Sequence, residues 1–187
     1  SPAVHPDEVV DLNTTPWPWK DREYTHIVAK DVLEHLGDTT RDFLNVIKEM
    51  YRVSDNGAVW EIQVPHWRCD IALDDPHHKR LLTLGFFKML DQQKLMDEKI
   101  MQRQSDTLLA FEEEVDVAIA DVQFIYTPQW QQMIDKGEIS QQELHMALNH
   151  QNNVALSMVL LMEVHNPPRY NRDEFERAIS DIVGKSK

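Results

Sequence analysis

The stretch "HIVAKDVLEHL", residues 26–36, sets an apolar run of strand type, Ile27, Val28 and Ala29, directly before four ionisable side chains, Lys30, Asp31, Glu34 and His35. Its neighbours decide what it is. Downstream, "DTTRDFLNVIKEMYRV" (38–53) carries Phe43, Ile47, Met50 and Tyr51 at spacings of three and four, the period of a helix with one buried face. Asp38 or Thr39 is suited to cap its first turn by accepting an orphan backbone N–H. "SDNG" (54–57) reads as a turn, and "AVWEIQVP" (58–65) as a strand with Trp60, Ile62 and Val64 on one face. Strand, helix, turn and strand in that order predict a right-handed crossover between two parallel strands, and hence an α/β sheet.

Working outward, "TTPWPWKDRE" (14–23) is a proline-broken loop, because Pro16 and Pro18 exclude a helix. Buried Trp17 and Trp19 are expected to pin it. "VDVAIADVQFIYT" (115–127) and "NNVALSMVLLMEVHN" (152–166) are expected strands, with a helix between them at "ISQQELHMALNH" (139–150). Ser140 and Glu143 have the spacing of a capping box and fix that helix start. "QQKLMDEKIMQRQ" (92–104) is a further helix, and "DEFERAISDIV" (173–183) a terminal one with Phe175, Ile179 and Ile182 aligned. No internal repeat and no second domain is visible, so 1–187 reads as one domain.

Composition narrows the function. The formal net charge of −13 argues against a sequence-independent grip on nucleic acid, which needs clustered Lys and Arg. The longest apolar run, 154–162, falls short of the roughly 20 residues that span a bilayer. The single cysteine, Cys69, forms no internal disulfide, and the first ten residues have no signal-peptide pattern. The expectation is a soluble, cytoplasmic protein that binds neither nucleic acid nor membrane.

Two clusters carry chemistry. Lys30 and Asp31 fall at the carboxyl end of a parallel strand, where open α/β sheets place their ligands. His35 is suited to general-base work, since histidines titrate near neutrality and Asp31 or Glu34 can orient the ring. Farther on, "PHWRCDIALDDPHHKR" (65–80) collects His66, Cys69, Asp70, Asp74, Asp75, His77 and His78. That density suits a divalent metal, although its spacing is neither that of a zinc finger nor of a helical H-E-x-x-H.

Taken in order and spacing, "VVDLNTTPWPW", "HIVAKDVLEHL", "NVIKEMYRVSDNGAVWEIQVPH" and "DDPHHKRLLT" resemble the class I S-adenosylmethionine-dependent methyltransferases, in the small-molecule branch with D-V-L-E-H and D-P-x-H segments. The resemblance covers roughly residues 4–90. It implies a Rossmann-like methyltransferase sheet, mostly parallel with one antiparallel strand near the C-terminus, and "NNVALSMVLLMEVHNP" fits that strand. Residues 128–152 become a helical insertion, with Trp130, Met133, Leu144 and Met146 as pocket or core residues, and 167–187 a helical tail. The family's glycine-rich first turn has no counterpart, since the five glycines stand at 37, 57, 85, 137 and 184. The amino-terminal β-α-β portion is therefore expected to be missing, and the shortened sheet to seek a partner strand or a second copy, making a homo-oligomer.

The resemblance also assigns roles. Asp11 and Leu12 fall where the family meets the adenine, while Lys30, Asp31 and Val32 line the methionine part of the cofactor, S-adenosylmethionine. Asp31 and His35 are the implied catalytic pair. His66, Asp75 and His78 are implied on the substrate side or as loop braces, with Arg80 as an anion contact and no metal. The expected function is a truncated or fragmentary methyltransferase acting on a small molecule. Two alternatives stand beside it: a non-catalytic methyltransferase-like module for binding or oligomerisation, and a metal-dependent enzyme using the His66 to His78 segment.

Overall fold

The computed structural model describes residues 7–100 and 107–185. Among them four strands, β1 (Tyr24–Lys30), β2 (Ser54–Pro65), β3 (Val117–Tyr126) and β4 (Ala155–Val164), form one sheet in the order β1-β2-β4-β3. β1 and β2 are parallel, and β4 runs antiparallel to both β2 and β3. Three strands thus point one way and β4 the other, which is the mixed α/β sheet expected. The reversed strand lies inside the sheet, between β2 and β3.

The helices are α1 (Thr40–Val53), α2 (Ile71–Asp74), α3 (Leu84–Lys88), α4 (Gln92–Ile100), α5 (Leu109–Glu112), α6 (Pro128–Asp135), α7 (Gln141–His150) and α8 (Arg172–Lys185). Both predicted caps form. Thr39 accepts from the Asp42 N–H while Asp42 reaches back to Thr39, and Ser140 and Glu143 make the same reciprocal pair. The 101–104 end of the expected 92–104 helix lies outside the described residues, as do the side chains of Ile179 and Ile182.

Alternation along the strands builds the core. Trp60, Ile62 and Val64 of β2 stand opposite Met162, Leu160 and Met158 of β4, and all six are fully buried. Phe43, Val46, Ile47 and Met50 of α1 join the same apolar cluster. Burying each such side chain is worth about 1.5–3 kcal/mol, so this cluster supplies most of the driving force for the α1–sheet contact. The other sheet face is open: Val28 of β1 and Val59 of β2 are exposed. In α6 and α7, Trp130 and Leu144 pack on a smaller cluster of Ala147, Leu148, Val154 and Ala155, while Met146 is exposed.

One expectation is corrected. "SDNG" is not a turn but the first part of β2, where Tyr24 pairs with Ser54 and the register then jumps to His26 opposite Val59. Gly57, at φ 77°, takes up the irregularity that a turn-like composition had suggested. The proline loop is pinned as expected. Trp17 is buried, its N–H donates to Glu49 Oε2 at 2.6 Å, and Arg52 holds both oxygens of that carboxylate. Among the described residues no helix is long and apolar enough to cross a membrane.

Candidate functional site

β1 ends at Lys30, and the chain turns sharply at Asp31, which takes a left-handed φ of 52°. Asp tolerates that conformation better than most residues, because its short polar side chain bonds locally. Here the Asp31 N–H donates to the Gln63 carbonyl at 2.9 Å, and Asp31 Oδ2 accepts from Gln63 Nε2 at 2.9 Å. The carboxyl ends of β1 and β2 are thereby locked together under the candidate site. Lys30 is spent on Glu61 of β2, at 2.7 Å.

A single 3₁₀ turn, Leu33–His35, follows and places Leu33 and Glu34 inside. The 75–80 loop then closes over this turn. The Lys79 N–H donates to the Glu34 carbonyl at 2.8 Å, and His35 Nδ1 donates to the His77 carbonyl at 3.3 Å. Arg80 clamps the exit of the turn, donating from its two terminal nitrogens to the Leu36 and Gly37 carbonyls, with its guanidinium 4.0 Å from the centre of the Phe43 ring. Gly37 is required here. At φ +70°, an added Cβ would meet the Phe43 backbone nitrogen at 2.4 Å.

The two segments singled out in the sequence, D-V-L-E-H and D-P-x-H, therefore form one junction. The His35 and His78 rings lie 4.7 Å apart, centre to centre. His78 Nδ1 donates to the Ala72 carbonyl at 3.0 Å, which leaves Nε2 as the free ring nitrogen, 4.0 Å from both Glu34 Oε1 and Asp75 Oδ2. Asp75 Oδ1 accepts from His77, and that contact holds its carboxyl below the usual carboxylate range. Glu34 is the anomaly: its side chain is 3% exposed, yet neither carboxylate oxygen has a hydrogen-bond partner among the described residues. Burial pushes its carboxyl up.

Other expected site residues lie elsewhere. Leu12 and Val32 share an apolar groove of about 360 Å³ along β1, together with Trp17, Trp19, Tyr24 and Ile27. Asp11 turns back into its own loop. Its oxygens accept from the Asn13 backbone and side-chain N–H groups and from the Thr14 hydroxyl, which hold its pKa down. His66 is buried beyond the end of β2, stacked on Trp67 at 4.0 Å and edge-on to Phe124. Burial, and less so the charge of Arg68, holds its pKa below the ordinary histidine value. Arg80, expected as an anion contact, is engaged by backbone carbonyls. Cys69 is buried.

Sequence reasoning passed over Gln63 and Glu61, the β2 partners of Asp31 and Lys30. Their signal was present in the polar positions that alternate with Trp60, Ile62 and Val64 and so point to the other sheet face.

No protein-family model and no curated protein matches the sequence. Solved structures do match. An S-adenosylmethionine-dependent methyltransferase from Archaeoglobus fulgidus aligns at 11% identity and TM-score 0.49, over 82% of this chain and 65% of that one. One from Methanosarcina mazei aligns at 11% and 0.42, over 84% and 66%. The [4+2]-cyclase SpnF aligns at 11% and 0.42, over 84% and 55%. The chain thus spans less than two thirds of these structures, and likeness at this level carries no activity across.

The residues present do not complete a pocket for S-adenosylmethionine. Among the described residues the positive-φ glycines are Gly37, Gly57 and Gly137; Gly37 is closed by the Phe43 backbone, and a Cβ added at either of the other two would face open space. None makes a strand-to-helix cradle, and Asp11 is occupied by its own turn.

Proposed function

We propose that the chain is the substrate-facing part of a methyltransferase-like domain that acts on a small molecule, with a cofactor pocket completed by further polypeptide across the β1 edge. The observation that carries this reading is the position of that uncovered edge. Among the described residues β1 has a neighbour on one side only, its apolar groove is open, and both adjoin the Asp31 turn at the carboxyl ends of the parallel strands. S-adenosylmethionine, when bound, would supply the methyl group. In this reading Leu12 and Val32 form the apolar wall of its pocket. Asp31 orients the acceptor, and His35, whose Nδ1 is held by the His77 carbonyl, presents Nε2 to take the acceptor's proton. Asp75, His78 and Arg80 brace the loop on the substrate side, and His66 supports it from the core. The proposal extends to a cytoplasmic setting, in keeping with one free cysteine and an acidic chain.

Calorimetry and thermal melts with S-adenosylmethionine test this reading. The expected result is saturable binding in the millimolar range, lost in Asp31→Ala. No heat and no stabilisation at millimolar ligand would overturn the assignment of Leu12, Asp31 and Val32 to that pocket. A second reading, a non-catalytic module that forms a homo-oligomer through β1, is favoured by the commitment of Asp11 and Lys30 to partners within the chain.

A further inference from the structure

The Glu34 junction contains an electrostatic imbalance that the methyltransferase reading leaves unused. A carboxylate buried without a hydrogen-bond donor is among the costlier arrangements in a protein interior. Here the nearest polar atom described from another residue is His78 Nε2, at 4.0 Å. That nitrogen faces two carboxylates, Glu34 and Asp75, while its Nδ1 hydrogen is committed to the Ala72 carbonyl. With its single hydrogen on Nδ1, the ring turns the Nε2 lone pair toward two acceptors. His35 repeats the pattern, with Nδ1 on the His77 carbonyl and Nε2 left over. Backbone carbonyls that fix Nδ1–H and release Nε2 as a lone-pair donor are the usual outer shell of metal-binding histidines.

Glu34, His35 and His78 each offer one ligand atom, and these atoms lie within 4.8 Å of one another. We propose that the junction of the Leu33–His35 turn with the 75–80 loop is a zinc site, ligated by Glu34, His35 and His78 with water as the fourth ligand. Zinc bonds of about 2.0–2.2 Å place tetrahedral ligand atoms about 3.4 Å apart, so the site closes by about 1 Å on loading. Nitrogen and oxygen donors, two of them imidazole, suit zinc rather than calcium or magnesium. The ion neutralises Glu34, occupies the space between the two rings and staples the two loops that Arg80 and Lys79 already hold together. It competes with a proton for the His35 ring, so the zinc-loaded junction and a His35 base are alternative states of one site. The inference rests on this geometry and not on methyl transfer, and its test involves no S-adenosylmethionine.

The test is a titration of chelator-stripped protein with zinc against a chromophoric competitor, with cobalt(II) as a spectroscopic probe. The expected result is one equivalent per chain, a visible cobalt spectrum of tetrahedral type and a raised melting temperature. Glu34→Gln and His78→Gln lose affinity by about 100-fold or more, whereas His145→Ala, at an exposed histidine on α7 away from the junction, keeps it. Glu34→Gln removes a buried charge and is isosteric, so the metal-free variant folds at least as well as the parent. Less than half an equivalent bound at micromolar zinc overturns the proposal. So does binding that Glu34→Gln and His78→Gln leave unchanged, or that His145→Ala abolishes.

Discussion

The backbone N–H of Lys79 meets the carbonyl of Glu34 at 2.8 Å, and this bond fastens the 75–80 loop to the turn that ends β1. Around it gather the His35–His77, Arg80–Leu36 and Lys79–Asp38 contacts, so the candidate site is a seam between two loops. A seam of this kind makes separable predictions.

Arg80 is the strongest clasp across the seam. Arg80→Ala removes two charge-assisted hydrogen bonds and the contact with Phe43, and should cost about 2 kcal/mol in denaturant unfolding. Hydrogen exchange at residues 34–37 should accelerate in the same variant. Arg80→Lys should recover little, since an ammonium cannot fork to both carbonyls.

Gly37 and Gly57 both have positive φ, but only Gly37 is crowded. Gly37→Ala should therefore cost more than about 2 kcal/mol, and Gly57→Ala about 1 kcal/mol, in paired thermal melts. Equal costs would mean that Phe43 does not close on this turn.

Stability should depend on pH through two carboxylates of opposite sign. Glu49 is held below its ordinary 4.5, first by Arg52 and then by the Trp17 N–H, so its contribution is present above pH 4.5 and is lost as pH falls through its lower folded value. Glu34 is raised above 4.5 by burial, so its contribution is lost as pH rises through its folded value. In chelator, Glu49→Gln should flatten the acid limb of the stability profile, and Glu34→Gln should raise the neutral limb.

The open β1 edge should drive concentration-dependent association. Val28→Lys, at a residue 54% exposed on the edge strand, should weaken it in sedimentation velocity. A compact monomer at several hundred micromolar would remove the homo-oligomer proposal.

Much of this architecture is legible in the sequence because it depends on local periodicity. Trp60, Ile62 and Val64 announce β2 by alternation, and Ser140 with Glu143 announces α7 by its cap. What fails is anything set by distant pairing. "SDNG" has the composition of a turn, but pairing with β1 draws it into a strand. Glu34 looks like one charge in an exposed cluster, and its burial follows from a 3₁₀ turn that closes only beneath the later loop. Asp116 is likewise fully buried in a network with Arg169, Asp91 and the Gln92 N–H, which no spacing along the chain could reveal.

The central claim is that the Asp31 turn is the ligand-facing end of this sheet. Its most direct test is chemical-shift mapping of ¹⁵N-labelled protein titrated with S-adenosylhomocysteine to millimolar concentration. The account predicts fast-exchange shifts concentrated at Leu12 and at residues 30–35, and their loss in Asp31→Ala. Shifts confined to other surfaces, or none at all, would contradict it.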